Sequence, residues 1–532
     1  MRKFIPNLFI FFIAIFLCSC GNHTYYFRSN YKDANTLMHS QQDLLVKPFM
    51  KAHMKNGEIC ILKDKWAEDT VKGLISGYGM RYDFNRHKTF EGNISIPVDS
   101  VAIFETNTKL SKVESKRTII LSVLTGVDVA MGLICLTNPK ACFGSCPTFY
   151  LSDTTNVRFA DAEGFTSAIS PSMEYADIDA LNNKGVSGNH FSIIMKNEAL
   201  ETHCVNDVKL FAYPRKKGER IYQTPSDDFY LCQNTYPVSA ATGNEGDITS
   251  LLKNEDHQER FSLSDKNNLS SKEAIYVNFN EVKDLNDLGL ILHFRQTLMT
   301  TYLFYAAMGY MGNNVGDVFS LLETSKENRM KFDGTAKELG KIEVYSWNEK
   351  KHIWEHQDSF FEQGPIAINK QMLKLNNIAS GSNVKLKLVM NKGLWRLDYL
   401  ALSNIKEKVK PLEISPESIL NKGKLDNSAL NAILDPKSYL ISMPGNEYKF
   451  NFNLPEQSND YELFLYSKGY YLEWMREHWI KDQNLLKLRE MVVKPQKFLK
   501  QEAGNYKQYE KVIEQLFWSS KIDTKTNTYR EN

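Results

Sequence analysis

The stretch that decides the fold class is Asn383-Val384-Lys385-Leu386-Lys387-Leu388-Val389-Met390, followed past Gly393 by Trp395-Arg396-Leu397-Asp398-Tyr399-Leu400. Val384, Leu386, Leu388 and Met390 alternate with Lys385 and Lys387, a period of two that turns one set inward and leaves the other in water. The second segment reads as the hairpin mate of the first. The same pattern recurs upstream. His190 to Met195 and Val208 to Tyr213 are strand-like and bracket a turn holding Cys204 and Asn206-Asp207. Ala274 to Phe279 and Leu288 to Phe294 follow, and Lys341 to Trp347 pairs with His352 to His356 across Asn348-Glu349-Lys350-Lys351. Turn signals about every ten residues over 138–404 predict one or two β-sandwiches.

Outward from this centre the chain changes character. Glu58 to Leu62, Val71 to Asp83 and Ile94 to Thr106 read as short strands of a small barrel or roll over 45–110. From Thr118 to Leu136, thirteen of nineteen residues are apolar, enough for a helix of about 28 Å. Asp128 near its middle and Lys116-Arg117 on its exported flank argue against spanning, so 111–137 is expected to pack on the β units or dip into a leaflet. Gln296 to Met311 is helix-compatible. Residues 405–440 read as a linker or irregular cover, and 441–532 as a β hairpin with C-terminal helices beginning after Gly469. The expected fold is mainly β with α additions.

Length and composition agree with this division. The 532 residues allow about two to four domains at roughly 100–200 residues each. Apolar residues at 42% supply cores, and 26 Tyr with 30 Phe favour strands. Basic residues number 65 and acidic 63. Losing Arg2 and Lys3 with a leader leaves the chain neutral, with no basic surplus to displace counterions from nucleic acid.

That leader is residues 1–19: a basic start, then an apolar run from Leu8 to Leu17. Its end, Leu17-Cys18-Ser19-Cys20, resembles the bacterial lipobox, which implies acylation of Cys20, with 20–44 as a tether to the fold. Membrane lipid held through Cys20 is then the first expected partner, each buried methylene adding about 0.8 kcal/mol. Gly21 after the cysteine, by analogy with characterised lipoproteins, implies the outer membrane, facing the periplasm or the surface. An exported chain meets an oxidising compartment, so Cys142 and Cys146, four apart on a Gly- and Pro-marked loop, are a candidate disulfide.

A wider resemblance rests on the block Asn138 to Tyr150, with its Cys142-Phe143-Gly144-Ser145-Cys146-Pro147-Thr148-Phe149-Tyr150 loop. Ala162 to Phe165, Ile169 to Ser172, Asp177 to Leu181, Asn197 to Ala199 and Gly469 to Trp474 belong to it as well. These segments resemble uncharacterised outer-membrane lipoproteins of Bacteroidetes. The likeness implies localisation and architecture and carries no activity. The closing hairpin is also similar to those of galactose-binding-like modules, a likeness of fold alone.

Several constellations bear on chemistry. His352-Ile353-Trp354-Glu355-His356 matches a zinc-protease string, but on a strand its imidazoles stand about 13 Å apart, so no metal site is expected there. No other cofactor motif is present. Glu163, Glu174, Asp177, Asp179, Glu198 and Asp207 could hold calcium or act as paired carboxylates, but there is no D-x-D-x-D-G loop and exposed acids normally make a solvated surface. Tyr470, Tyr471 and Trp474, with Trp479 and Trp518, form either a stacking platform for a sugar or partner, or core. The expected function is a lipid-anchored envelope protein, more binding module than enzyme, taking a glycan, protein or envelope component. The alternatives are a glycan hydrolase using acids in 163–207, a thiol oxidoreductase using Cys142 and Cys146, and a scaffold docking through 118–136.

Overall fold

The structure is a computed structural model. It describes residues 22–25, 29–30, 50–54, 58–63, 65–82, 88–106, 110–113, 146–151, 159–181, 186–187, 189–199, 201–312, 315, 318–319, 334–361, 364–378, 383–442, 445–455, 460–473, 479, 482–522 and 524. The leader, Cys20, Cys142, Trp474 and the apolar run from Thr118 to Leu136 lie outside these residues. Among the described residues no helix is long and apolar enough to cross a membrane. The protein is mainly β with helical additions, and it divides into two units.

One unit comprises Met1–Cys142, Tyr305–Ser320 and Trp474–Leu485. Its centre is a seven-stranded antiparallel sheet running Ser29–Asn30, Val101–Thr106, Met50–Met54, Ile59–Leu62, Leu74–Tyr82 and Ala67–Asp69, with Lys88–Pro97 also on Leu74–Tyr82. Ala52, Cys60, Leu62, Trp66, Ile75, Ile94 and Ile96 fill one face. Gly79 is required by close approach, because a Cβ there would meet the Ile61 carbonyl oxygen at 2.0 Å. The tether expected over 20–44 contains pairing: Asn22–Tyr25 lies antiparallel to Leu110–Val113. That second segment is therefore strand where the apolar helix was expected to start.

The other unit comprises Phe143–Phe304, Leu321–Glu473 and Leu486–Asn532. Nine strands make its middle: β1 (Arg220–Gln223), β2 (Phe229–Pro237), β3 (Lys272–Phe279), β4 (Leu288–Gln296), β5 (Ile342–Asn348), β6 (Ile353–Phe360), β7 (Asn369–Lys374), β8 (Val384–Asn391) and β9 (Trp395–Val409). Strands β2, β1, β7, β4 and β9 pair in that order, and β9 pairs again with β2, closing a ring. Each contributes one residue to a shared cluster, Cys232, Tyr222, Met372, Ile291 and Ala401. His293 of β4 is buried beside Tyr399, and burial drops its pKa to about 3, so the imidazole is neutral.

The second sheet runs Gly246–Asp247, Ala240–Gly243, β3, β8, β5, β6. Its inner face carries Ile275, Val277, Ile342, Val344, Leu386 and Leu388, all buried. Phe360 of this sheet meets Phe294 of the ring, centroids 5.5 Å apart.

The deciding stretch is not a hairpin. β8 pairs with β3 and β5, and β9 pairs with β4 and β2, so Lys392 to Leu394 carries the chain from one sheet to the other. Both edges of each strand were already taken by partners distant in sequence. Alternation reports which face of a strand is inward and is blind to which sheet it joins. Gly393 makes the crossing with φ +83, and a Cβ there would meet the Ser264 backbone nitrogen at 2.5 Å.

Two further sheets complete this unit. One joins Thr148–Tyr150, His190–Lys196 and Glu447–Asn453; the other joins Tyr175–Leu181, Tyr461–Glu473 and Glu201–Pro214. Cys204 and Asn206-Asp207 lie inside the last strand and not in a turn. Asn206 is the extra residue of a bulge, and its side-chain amide donates to the carbonyls of Pro436 and Ser438 at 3.0 Å each. The expected linker over 405–440 is ordered structure: the end of β9, strands Leu412–Ile414 and Ser418–Asn421, and helix Asn427–Leu434. Gly469 does not open the helical part: it sits mid-strand, where a Cβ would lie 2.4 Å from the Cys204 carbonyl oxygen, the strand runs on to Glu473, and the first described helical residue after it is Trp479.

Candidate functional site

The acids and thiol singled out from sequence are engaged in holding the fold. Cys146 is a free, buried thiol whose Sγ donates to Glu163 Oε1 at 3.0 Å; its expected disulfide partner Cys142 lies outside the described residues. Burial, and then the Glu163 carboxylate, push the thiol pKa well above its ordinary value. Nucleophilic and redox chemistry both need the thiolate, which this setting disfavours. The second Glu163 oxygen accepts the amides of Ile366 at 2.7 Å and Ala367 at 3.1 Å. Glu198 accepts from Thr148, Tyr150 and Lys521, and Asp207 pairs with Lys209 at 2.8 Å. Glu174 lies 3.9 Å from Lys468.

Glu163, Asp177 and Asp179 are buried, which corrects the reading of this set as a solvated surface. The alternation of Tyr175–Leu181 puts both aspartates on the side of Leu181, and Asp179 accepts the Glu163 amide at 3.1 Å. The proposed aromatic surface is also corrected. Tyr470 and Tyr471 are only 2% and 7% exposed, so these rings are core. Trp479 is buried too, Trp518 packs edge-on against Phe159, and Trp474 is not described.

An aromatic surface does exist, on the outward face of β3, β8, β5 and β6. Each strand alternates, and the positions that should carry polar groups carry rings. Register places Tyr276, Lys387, Tyr345 and His356 in one row across four strands. Trp347 and Trp354 stand opposite one another on the neighbouring hairpin positions, centroids 5.3 Å apart. Tyr276, 47% exposed, meets Trp354 at 5.8 Å, and His356 stands edge-on to Tyr345 at 5.2 Å. The Lys387 ammonium sits over two rings, 4.5 Å from the Tyr345 centroid and 5.2 Å from that of Trp354.

The hairpin turn shapes one end of this face. Asn348 accepts the amides of Lys350 and Lys351 at 3.0 and 3.1 Å, and His352 closes the turn at φ +54. His352 is thus in the turn and not in the strand expected over His352 to His356, while His356 lies in β6. Charges at the rim are paired: Lys385 with Glu349 at 2.6 Å, Lys351 with Glu355 at 2.8 Å. Tyr345 donates to Glu343 at 2.7 Å, and that hydrogen bond, with burial, raises the tyrosine pKa.

Such a surface has a definite chemistry. Ring faces are the negative part of the aromatic quadrupole, and the C–H groups on one face of a pyranose are weakly positive, so the two stack. Surrounding lysine, carboxylate and imidazole edges can bond the hydroxyls. Sequence reading paired this hairpin correctly and stopped at its histidines. The signal it passed over was Tyr276, Tyr345, Trp347 and Trp354 at the solvent positions of alternating strands.

No family model matches the chain, and no curated protein matches it. Among solved structures, BuGH86 in complex with neoagarooctaose is 8% identical, covering 44% of this chain and 34% of its own, with a TM-score of 0.16. The chain thus spans about a third of that protein's length. The secreted serine protease VesC from Vibrio cholerae is 10% identical, covering 66% of this chain and 63% of its own, with a TM-score of 0.12.

Proposed function

We propose that this protein is a lipid-anchored lipoprotein of the outer membrane that binds a glycan on the aromatic face of β3, β8, β5 and β6. The observation that carries the binding half is that row of solvent-facing rings. Tyr276 is exposed and Trp347 and Trp354 are half-buried on this face, leaving open a patch of ring surface that invites association. The anchoring half is supported by the lipobox-like ending at Cys20. The enzyme readings draw less support: the Cys146 thiol is held protonated, and Glu163, Glu198 and Asp207 are committed to hydrogen bonds and ion pairs within the fold. The scaffold reading rests on 118–136, outside the described residues.

Two outcomes are expected. In cells fed a palmitate analogue, the full-length protein takes up label and sediments with membranes, whereas Cys20→Ala is unlabelled and released. An unlabelled wild type would refute the anchor. In affinity measurements against envelope polysaccharides, Trp354→Ala weakens binding by about thirtyfold, the scale of an interface aromatic. Equal binding by wild type and Trp354→Ala would refute the site.

A further inference from the structure

We infer that the glycan taken by this face is acidic, and that Lys387 is the residue that selects it. The inference rests on the glycan-binding reading above and goes further by naming the ligand's charge. Every carboxylate on this face already has a partner. Glu349 is paired with Lys385, Glu355 with Lys351, and Glu343 accepts the Tyr345 hydroxyl. Lys387, half-buried at the centre of the row, has no carboxylate within ion-pair distance among the described residues. Its ammonium faces two ring planes, which hold it in place and remove part of its water shell without neutralising it.

Geometry places this charge where a ligand would pass. Lys387 stands between Tyr276 and Tyr345 in the row, and Trp354 touches both Tyr276 and the ammonium. A pyranose stacked on Trp354 or Tyr276 therefore brings its ring substituents beside the Lys387 Nζ. A carboxylate or sulfate there completes an ion pair that is only partly screened by water. A hydroxyl leaves the charge unanswered. The whole chain is close to neutral, so one unpaired central cation gives local selection without general attraction to polyanions.

The test uses the full-length protein in detergent micelles and calorimetric titration with galacturonic-acid oligomers, sulfated dextran and unmodified dextran. The acidic oligomers are expected to bind about tenfold more tightly than the neutral one, a preference that fades at roughly 0.5 M salt. Comparing carboxylated with sulfated chains identifies the anionic group. Lys387→Met is expected to erase the preference by lowering acidic affinity about tenfold, Lys387→Arg to restore it, and Trp354→Ala to remove binding of every saccharide. Equal affinity for acidic and neutral oligomers, indifferent to Lys387→Met, overturns the inference and leaves the glycan reading standing. Binding of no saccharide, or of single-stranded oligothymidylate in preference, overturns both.

Discussion

Replacement of Glu273 by alanine is expected to lower the free energy of unfolding by about 3–5 kcal/mol. Arg260 has no solvent exposure, and its guanidinium is gripped from two sides. Glu273 accepts from it at 2.7 and 2.9 Å, and Glu245 at 2.8 and 3.0 Å. Ser262 donates to the same Glu273 carboxylate. Glu273→Ala removes the buried partner and leaves Glu245, whose side chain is 41% exposed, as the remaining counter-charge. The cost comes from stranding a desolvated cation, and the net value of the pair itself is far smaller. Consequently the double change Glu273→Leu with Arg260→Met is expected to recover most of the loss. Urea denaturation measures both. A loss under about 1 kcal/mol for Glu273→Ala would mean that water reaches Arg260.

Asp398→Asn is expected to act in the opposite direction, stabilising the protein at neutral pH by about 1–3 kcal/mol. Asp398 is the extra residue where β9 bulges against β4, and it is buried. Neither carboxylate oxygen accepts a hydrogen bond from the described residues; the His257 amide approaches without reaching hydrogen-bond geometry. Burial raises its pKa from 3.8 to about 6, with Glu259 and Asp256 adding to the rise and the His257 ring opposing it. A carboxyl with a raised folded pKa binds more protons folded than unfolded between those two values. Its presence therefore costs stability progressively as pH climbs from about 4 to about 6, and fully above that. The gain from Asp398→Asn should be absent near pH 4, grow across that window and then level off. His293 contributes the reverse slope, since its folded pKa near 3 lies below the unfolded value and its share of stability is lost as pH falls from about 6.5. The difference between wild type and Asp398→Asn isolates the first effect. A gain that did not vary with pH would show that the carboxylate is not the cause.

How far the sequence carried depends on which physical signal each element offers. Alternation identified β3, β4, β5 and β8 nearly to their ends and the first halves of β6 and β9, because burying one face of a strand leaves a direct imprint on residue order. Pairing beyond a local hairpin such as β5–β6 left no such imprint. Val384 to Met390 and Trp395 to Leu400 looked like one hairpin and belong to two sheets, since edges are allotted by partners far away in the chain. Asn206-Asp207 resembled a turn because those residues usually mark one, whereas here the strand absorbs Asn206 as a bulge. The linker expected over 405–440 was misread from its Lys, Asn and Pro content, although helix Asn427–Leu434 opens with an Asp426 side chain accepting the Ala429 amide.

The candidate site was half legible. Tyr470 and Tyr471 drew attention as neighbouring aromatics, and their strand turns out to lie inside the molecule. The exposed set was spread over four strands between Tyr276 and Lys387, so only the three-dimensional register gathers it. Burial of Glu163 was hidden for the same reason, its partners Ile366 and Ala367 being distant in sequence, and Asp179 is buried with it through the Glu163 amide.

The most direct test of the glycan face is to watch its tryptophans. The protein has seven, and nitrogen-labelled indoles report each separately by nuclear magnetic resonance once Trp347→Phe and Trp354→Phe have assigned two of the signals. On titration with an acidic saccharide, the Trp354 and Trp347 indoles should shift together and saturably, while those of buried Trp395 and Trp479 stay where they are. A saccharide that bound while leaving Trp347 and Trp354 unmoved would contradict the assignment of this face.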